Sequence, residues 1–202
     1  MQYNALCLST TLASRICHDL INPIGAIQNG LELSQLSSEK LKGLEWELIE
    51  ASSTNAANRI KFFRIAFGMS DHWGQLSPRN ARKILEPIFN RNRFKVLWKI
   101  NQSISRSDSQ IIFLSILCLE TAMPVGGELI ITKNENSFVI TGFSTNLTFN
   151  LELWNWLSQP PPDQDISPKN IHFVMLLIVC QKAGKEIAVI KNIDERNLSI
   201  NL

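Results

Sequence analysis

The residues best placed to do chemistry are His18-Asp19-Leu20-Ile21-Asn22-Pro23. An imidazole has an ordinary pKa of about 6.5, so near neutral pH much of it is an uncharged nucleophile. Asp19, directly after His18, can hold one ring N–H and so fix the tautomer with the other nitrogen facing outward. Asn22 lies one helical turn further on, where its amide can meet a phosphoryl oxygen or a water. Pro23 lacks a backbone donor and frees a carbonyl, so a bend is expected there. Gly25 leaves a gap beyond Asn22 through which another protein can approach.

These groups need a helix to hold them. Ala13, Cys17, Leu20, Ile24, Ile27 and Leu31 recur at alternating steps of four and three, which draws one apolar stripe down a helix. His18 falls nearly opposite that stripe, on a strip shared with Thr11, Ser14, Arg15, Asn22, Gly25 and Asn29. The helix is expected to run from about Tyr3 to Leu36. Ser37-Ser38 offers an N-cap for a second helix with Leu41, Leu44, Leu48 and Ala51 on one face, then Ile60, Phe63 and Phe67. Ser52 to Asn58 is small and polar and weakens that seam. Gly68 stands where a helix stop wants a left-handed residue. Two such helices form an antiparallel hairpin whose apolar back cannot be buried by the hairpin alone. A second copy, giving a four-helix bundle, would cover it; packing on the chain's own C-terminal half is the alternative.

The motif carries a resemblance. His18-Asp19-Leu20-Ile21-Asn22-Pro23 resembles the phosphoacceptor motif of sensor histidine kinases. The longer string Arg15-Ile16-Cys17-His18-Asp19-Leu20, Asn22-Pro23-Ile24-Gly25-Ala26-Ile27 and Asn29-Gly30-Leu31-Glu32-Leu33 resembles the ChpT-type histidine phosphotransferases of bacterial phosphorelays, as does Phe62-Phe63-Arg64-Ile65-Ala66-Phe67-Gly68. A lone surface histidine is usually only solvated, and short motifs give false positives. Here the six-residue pattern, the exposed face and the small-residue gap favour chemistry.

Composition sets the class. The chain has 202 residues, 45% hydrophobic and 19% charged, as an ordinary globular protein does. A net charge of +2 gives no footing for nucleic acid. The basic cluster Arg79, Arg82, Lys83, Arg91, Arg93 and Lys95 reads as a solvated face that also suits an acidic partner. Cys7, Cys17, Cys118 and Cys180 lack metal-ligand spacing; Cys17 and Cys118 sit in apolar patterns and read as buried. No basic residue precedes Arg15, so no signal-peptide n-region is seen, and apolar runs such as Phe173 to Cys180 are too short to span a bilayer. A cytoplasmic protein with free thiols and no membrane contact is expected.

After a linker, Ser70-Asp71-His72-Trp73-Gly74-Gln75, helix and strand alternate; His72 reads as a loop histidine. Ser77-Pro78 opens a helix to about Phe89, followed by a strand from Phe94 to Ile100. Ser107-Asp108-Ser109-Gln110 has capping-box spacing and starts a helix to about Ala122. Gly126-Gly127 turns into the strands Glu128 to Thr132 and Phe138 to Thr141. The Trp-rich segment Leu151 to Leu157 leads through Pro160-Pro161-Pro162 to Ser167-Pro168, which opens a helix ending near Gly184. The strands Glu186 to Lys191 and Leu198 to Leu202 close the chain. The expected organisation is α+β: residues 1–69 a hairpin for dimerisation and phosphotransfer, residues 76–202 an α/β sandwich.

In order and spacing that second region resembles the ATP-binding domain of histidine kinases. The resemblance stops at the nucleotide chemistry. The helix from Asp108 to Met123 contains neither Asn nor Lys, the strand before Ser144 reads Ile140-Thr141-Gly142-Phe143, and no glycine occurs from Phe143 to Ala183. There is thus no phosphate-cradling lid, and the domain reads as degenerate. His172, within an apolar helix, reads as a core or boundary histidine.

The resemblance implies a dimeric phosphotransferase in which His18 takes a phosphoryl group from the receiver domain of a hybrid histidine kinase and passes it to response-regulator receivers, with Asp19 and Asn22 in the catalytic set. Arg15, Gly25, Ala26 and Asn29 are the expected receiver-binding residues, with Lys61 and Arg64 of the second helix as a further docking surface. No cofactor is expected, Mg²⁺ belonging to the receiver. A non-catalytic adaptor for receivers or kinases, and a degenerate kinase with weak ATP hydrolysis, are the other readings; phosphotransfer and nucleotide calorimetry discriminate them.

Overall fold

The computed structural model describes residues 3–36, 43–68, 74–90, 93–135, 137–192, 194 and 196–202. The Ser37-Ser38 cap, Leu41, Arg91 and the linker residues Ser70 to Trp73, His72 among them, lie outside the described residues. Helix α1 spans Ala5–Leu36 and α2 spans Leu44–Ala66, antiparallel partners that make the hairpin. They are followed by α3 (Pro78–Phe89), β1 (Phe94–Trp98), α4 (Arg106–Ala122), β2 (Gly127–Lys133), β3 (Phe138–Phe143), α5 (Leu151–Asn155), α6 (Ile171–Ala183), β4 (Ala188–Asn192) and β5 (Asn197–Asn201).

The sheet is five-stranded, in the order β1-β2-β3-β5-β4, with β1 and β2 parallel and the other neighbours antiparallel. Alternate side chains, Leu129 and Ile131, Phe138 and Ile140, Leu198 and Ile200, point into one core layer, as a period of two requires. Helix α4 covers that layer, with α3 against β1 and α6 packed beside α4. From Ile111 to Leu119 every residue of α4 is buried, which explains why its sequence is apolar nearly all round. Between α4 and β2, Gly126 and Gly127 take φ of 89° and 150°, and a Cβ at either would meet a backbone oxygen, of Arg93 or Phe143. This is the helical hairpin plus layered sheet expected for an α+β chain.

Several details differ from expectation. Helix α4 is capped by Ser105, not Ser107: Ser105 Oγ accepts from the Asp108 N–H at 3.0 Å and lies 2.7 Å from Asp108 Oδ2. Ser105 thus caps the Asp108 N–H while its hydroxyl donates to the Asp108 carboxylate, a side-chain variant of the capping box. Helix α6 begins at Ile171, not at Pro168, because Asn170 Oδ1 accepts from the Ser167 N–H at 2.7 Å and holds residues 167–170 in a turn. Gly68 is not left-handed. The end of α2 is instead satisfied by α4: Gln110 Nε2 donates to the carbonyls of Ala66 (3.2 Å) and Gly68 (2.9 Å), and Arg106 to that of Arg64.

The apolar stripe of α1 is not a seam within the hairpin. Asp19, Pro23, Ala26 and Gly30 face α2, with Gly30 so close that a Cβ would stand 2.7 Å from Ile49. Ala13, Cys17, Ile24 and Leu31 are exposed, Leu20 and Ile27 half-buried. Cys17 is therefore exposed, against expectation, while Cys118 is buried. Leu44, Leu48 and Ala51 of α2 are exposed too. The hairpin packs on the C-terminal half through the end of α2 and the start of α1: Phe62 lies against Phe113, ring centroids 5.0 Å apart, Phe62, Phe63, Ile65 and Ala66 join the main core, and Tyr3, Leu8 and Ile16 pack against it. The basic cluster is partly spent locally, Arg82 on the Trp98 carbonyl, Arg93 on that of Pro124 and Lys95 on Glu128. No described helix is long and apolar enough to cross a membrane.

Candidate functional site

Helix α1 runs unbroken past Pro23, and it carries His18 outward with its side chain 72% exposed. Pro23 has no N–H, so the Asp19 carbonyl one turn back lacks its helical donor. His18 Nδ1 lies 3.1 Å from Asp19 Oδ1. A carboxylate only accepts, so this contact places the ring proton on Nδ1 and leaves the Nε2 lone pair facing solvent.

Asp19 is in turn held from behind, its side chain only 13% exposed. Arg15 Nε donates to Asp19 Oδ2 at 2.9 Å, and Arg59 Nη1 of α2 lies 3.9 Å from the same oxygen. Both guanidiniums thus address Oδ2 and leave Oδ1 for the histidine. Beside this group a cavity of about 290 Å³ opens in the groove between α1 and α2, lined by Asp19, Asn22, Pro23, Ala26, Ser52, Asn55 and Arg59. From the C-terminal half, Glu120 of α4 also faces these groups. Burial pushes its carboxyl up, while Arg59 and Arg15 pull it the other way.

The expected site residues fall into two groups. His18, Asp19, Asn22, Gly25, Ala26 and Asn29 lie along one side of α1, with Asn22 and Asn29 exposed and nothing within 4 Å of where a Gly25 Cβ would sit. Lys61 and Arg64 lie elsewhere, in a cavity of about 600 Å³ shared with Asn80, Lys83 and Arg106 at the base of the hairpin. Arg15 is turned inward to Asp19 and the Pro168 carbonyl. Arg59, Ser52 and Asn55 were missed by sequence reasoning. The available signal was the small polar run Ser52 to Asn58, which an antiparallel hairpin sets opposite Asn22.

His172 is fully buried, with Nε2 3.0 Å from Thr121 Oγ1 and Nδ1 without a partner. Burial, with repulsion from Arg15, lowers its pKa from 6.5 to about 3. The unfolded chain therefore binds a proton below pH 6.5 that the folded chain refuses until about pH 3. Stability from this group is complete above pH 6.5 and is lost as pH falls, by about 1.4 kcal/mol per pH unit. Between pH 7 and pH 5 the fold should lose about 2 kcal/mol on this account, visible as a falling urea midpoint. His172→Gln should flatten that slope; an unchanged slope would remove His172 as its source.

A hairpin shows one histidine to solvent, one of its ring nitrogens tied to a neighbouring carboxylate, ahead of a layered α/β body. Residues 78–195 match the family described as the histidine phosphotransferase C-terminal domain. The chain belongs to the histidine phosphotransferase family. The Protein phosphotransferase ChpT of Brucella abortus (strain 2308) is 29% identical over 192 residues, covering 92% of this chain and 91% of that protein. A bacterial phosphotransferase with a structure solved at 1.7 Å superposes with a TM-score of 0.81 at 26% identity, covering 100% of this chain and 98% of the other.

Proposed function

We propose that His18 is the phosphoryl carrier of this phosphorelay phosphotransferase, moving the group between aspartates of receiver domains. The observation that carries it is the exposed ring with Nδ1 on Asp19. Nε2 attacks the phosphorus of a receiver's aspartyl phosphate. The N–P bond forms as the acyl-phosphate P–O bond breaks, and the aspartate leaves as a carboxylate. The ring keeps its Nδ1 proton and gains positive charge, which the Asp19 carboxylate offsets. A second receiver aspartate reverses the step. Positioning and charge stabilisation are what such a transfer requires. Asn22, at the rim of the cavity, is placed to meet a phosphoryl oxygen, and Mg²⁺ comes with the receiver. The donor is the receiver of a hybrid kinase, the acceptors response regulators, all in the cytoplasm.

A second copy covers the outward stripe. Ile21, Ile24 and Leu31 of α1 and Leu44, Leu48 and Ile60 of α2 are each more than 40% exposed. An apolar face of that extent on a long hairpin suits the pairing of two hairpins into a four-helix bundle. The receiver then docks along Asn22, Gly25, Ala26 and Asn29, beside His18 and away from the stripe. Gly25→Arg tests this surface. It meets open space, and replacing a helical glycine adds roughly 1 kcal/mol of helix propensity. The expected result is an unchanged or higher melting temperature and an intact dimer by sedimentation, with receiver affinity down about tenfold or more. Unaltered receiver affinity in a folded Gly25→Arg dimer would move docking to Lys61 and Arg64. Phosphate transfer from a labelled receiver separates the carrier from a mere adaptor, which would bind the receiver and remain unlabelled.

A further inference from the structure

We infer that Arg15 is a positioning residue through which the loop ahead of α6 sets the ring of His18; the inference rests on His18 as the phosphoryl carrier. The C-terminal half meets α1 directly, with Tyr3, Leu8 and Ile16 against the core, and beside these contacts Arg15 links it to the histidine through hydrogen bonds. Arg15 Nη1 donates to the Pro168 carbonyl at 3.3 Å while its Nε donates to Asp19 Oδ2 at 2.9 Å. Asp19 Oδ1 then takes His18 Nδ1 at 3.1 Å. The planar guanidinium fork can hold two acceptors at once in fixed relative positions, which a lysine cannot. The far end of this relay is itself braced. Asn170 accepts from the Ser167 N–H at 2.7 Å and donates to the Asp165 carbonyl at 3.1 Å, so the Pro168 carbonyl is held by the loop's own turn.

The consequence concerns which nitrogen of His18 is available. With Asp19 fixed, the ring proton stays on Nδ1 and Nε2 remains the nucleophile. Without Arg15, Asp19 is left with the longer 3.9 Å contact to Arg59, so the Nδ1–H contact is loosened and the other tautomer gains population. A body lacking the glycines and asparagine of a nucleotide site thereby keeps a function in transfer: it orients the carrier.

The test is histidine nitrogen NMR on the full chain, which reads the tautomer of His18, alongside the rate of transfer from a phosphorylated receiver. Arg15→Gln is expected to lower the Nδ1-protonated share of His18 and to slow transfer roughly tenfold to a hundredfold. Arg15→Lys, which keeps the charge and loses the fork, should fall between it and the unaltered protein. Asn170→Ala touches neither Asp19 nor His18 and should shift the tautomer in the same direction by a smaller amount. An unaltered His18 spectrum in folded Arg15→Gln would overturn the inference, and an unaltered spectrum in Asn170→Ala would overturn the role of the loop. The spectrum is blind to phosphate, so absence of transfer to the unaltered protein would count against the proposed function and leave the bridge to be judged by NMR.

Discussion

His18→Ala is expected to abolish phosphoryl acceptance, a loss on the order of a thousandfold or more, because the covalent carrier itself is removed. The fold should not notice. The His18 side chain is 72% exposed and its described bond is to Asp19, which keeps both guanidinium partners when the imidazole is gone. Alanine also suits a helix better than histidine. The variant should therefore melt within a few degrees of the parent, keep its oligomeric state and still bind receivers. Acid-labile label on the variant at the parent's level would place the chemistry on another residue.

Phe113→Ala carries the largest expected effect on stability. Phe113 is fully buried, and its ring stands 5.0 Å from that of Phe62, which also lies 6.0 Å from Phe89. These rings are the joint between α2 and the C-terminal half. Truncation should cost about 3–5 kcal/mol, through lost transfer energy and the cavity left behind. For a chain of this length that is a drop of roughly 10 °C in melting temperature. Circular dichroism melts check the magnitude. A cost below about 1 kcal/mol would mean that the hairpin and the body do not share a core.

The His18 motif was legible because its groups lie within two turns of one helix, where spacing alone settles which side chains share a face. The hairpin and the order of helices and strands were legible from hydrophobic period and from glycine and proline punctuation. The face of α1 that meets α2 was not. Asp19, Pro23, Ala26 and Gly30 form no apolar stripe, so a search for hydrophobic period selected the outward stripe through Ile24 and Leu31 instead. Arg59 was invisible for a related reason: its partner Asp19 is 40 positions away, and only the hairpin's register brings them together. Ser105 and Ser107 each head a box-like sequence, and Ser105 caps α4 because it bonds both the N–H and the carboxylate of Asp108. The end of α2 looked like a glycine stop, while in the fold the Gln110 amide from a distant helix takes its last carbonyls.

Whether His18 carries the phosphoryl group is read by locating the phosphate. The unaltered protein is incubated with a phosphorylated receiver domain, quenched at neutral to alkaline pH and digested, and the modified residue is read by fragmentation that preserves the N–P bond. The chain contains three histidines, His18, His72 and His172. Phosphate is expected on His18, bonded through Nε2, with none on the buried His172. Phosphate on any other residue, or a protein that binds the receiver tightly and carries no phosphate, would contradict it.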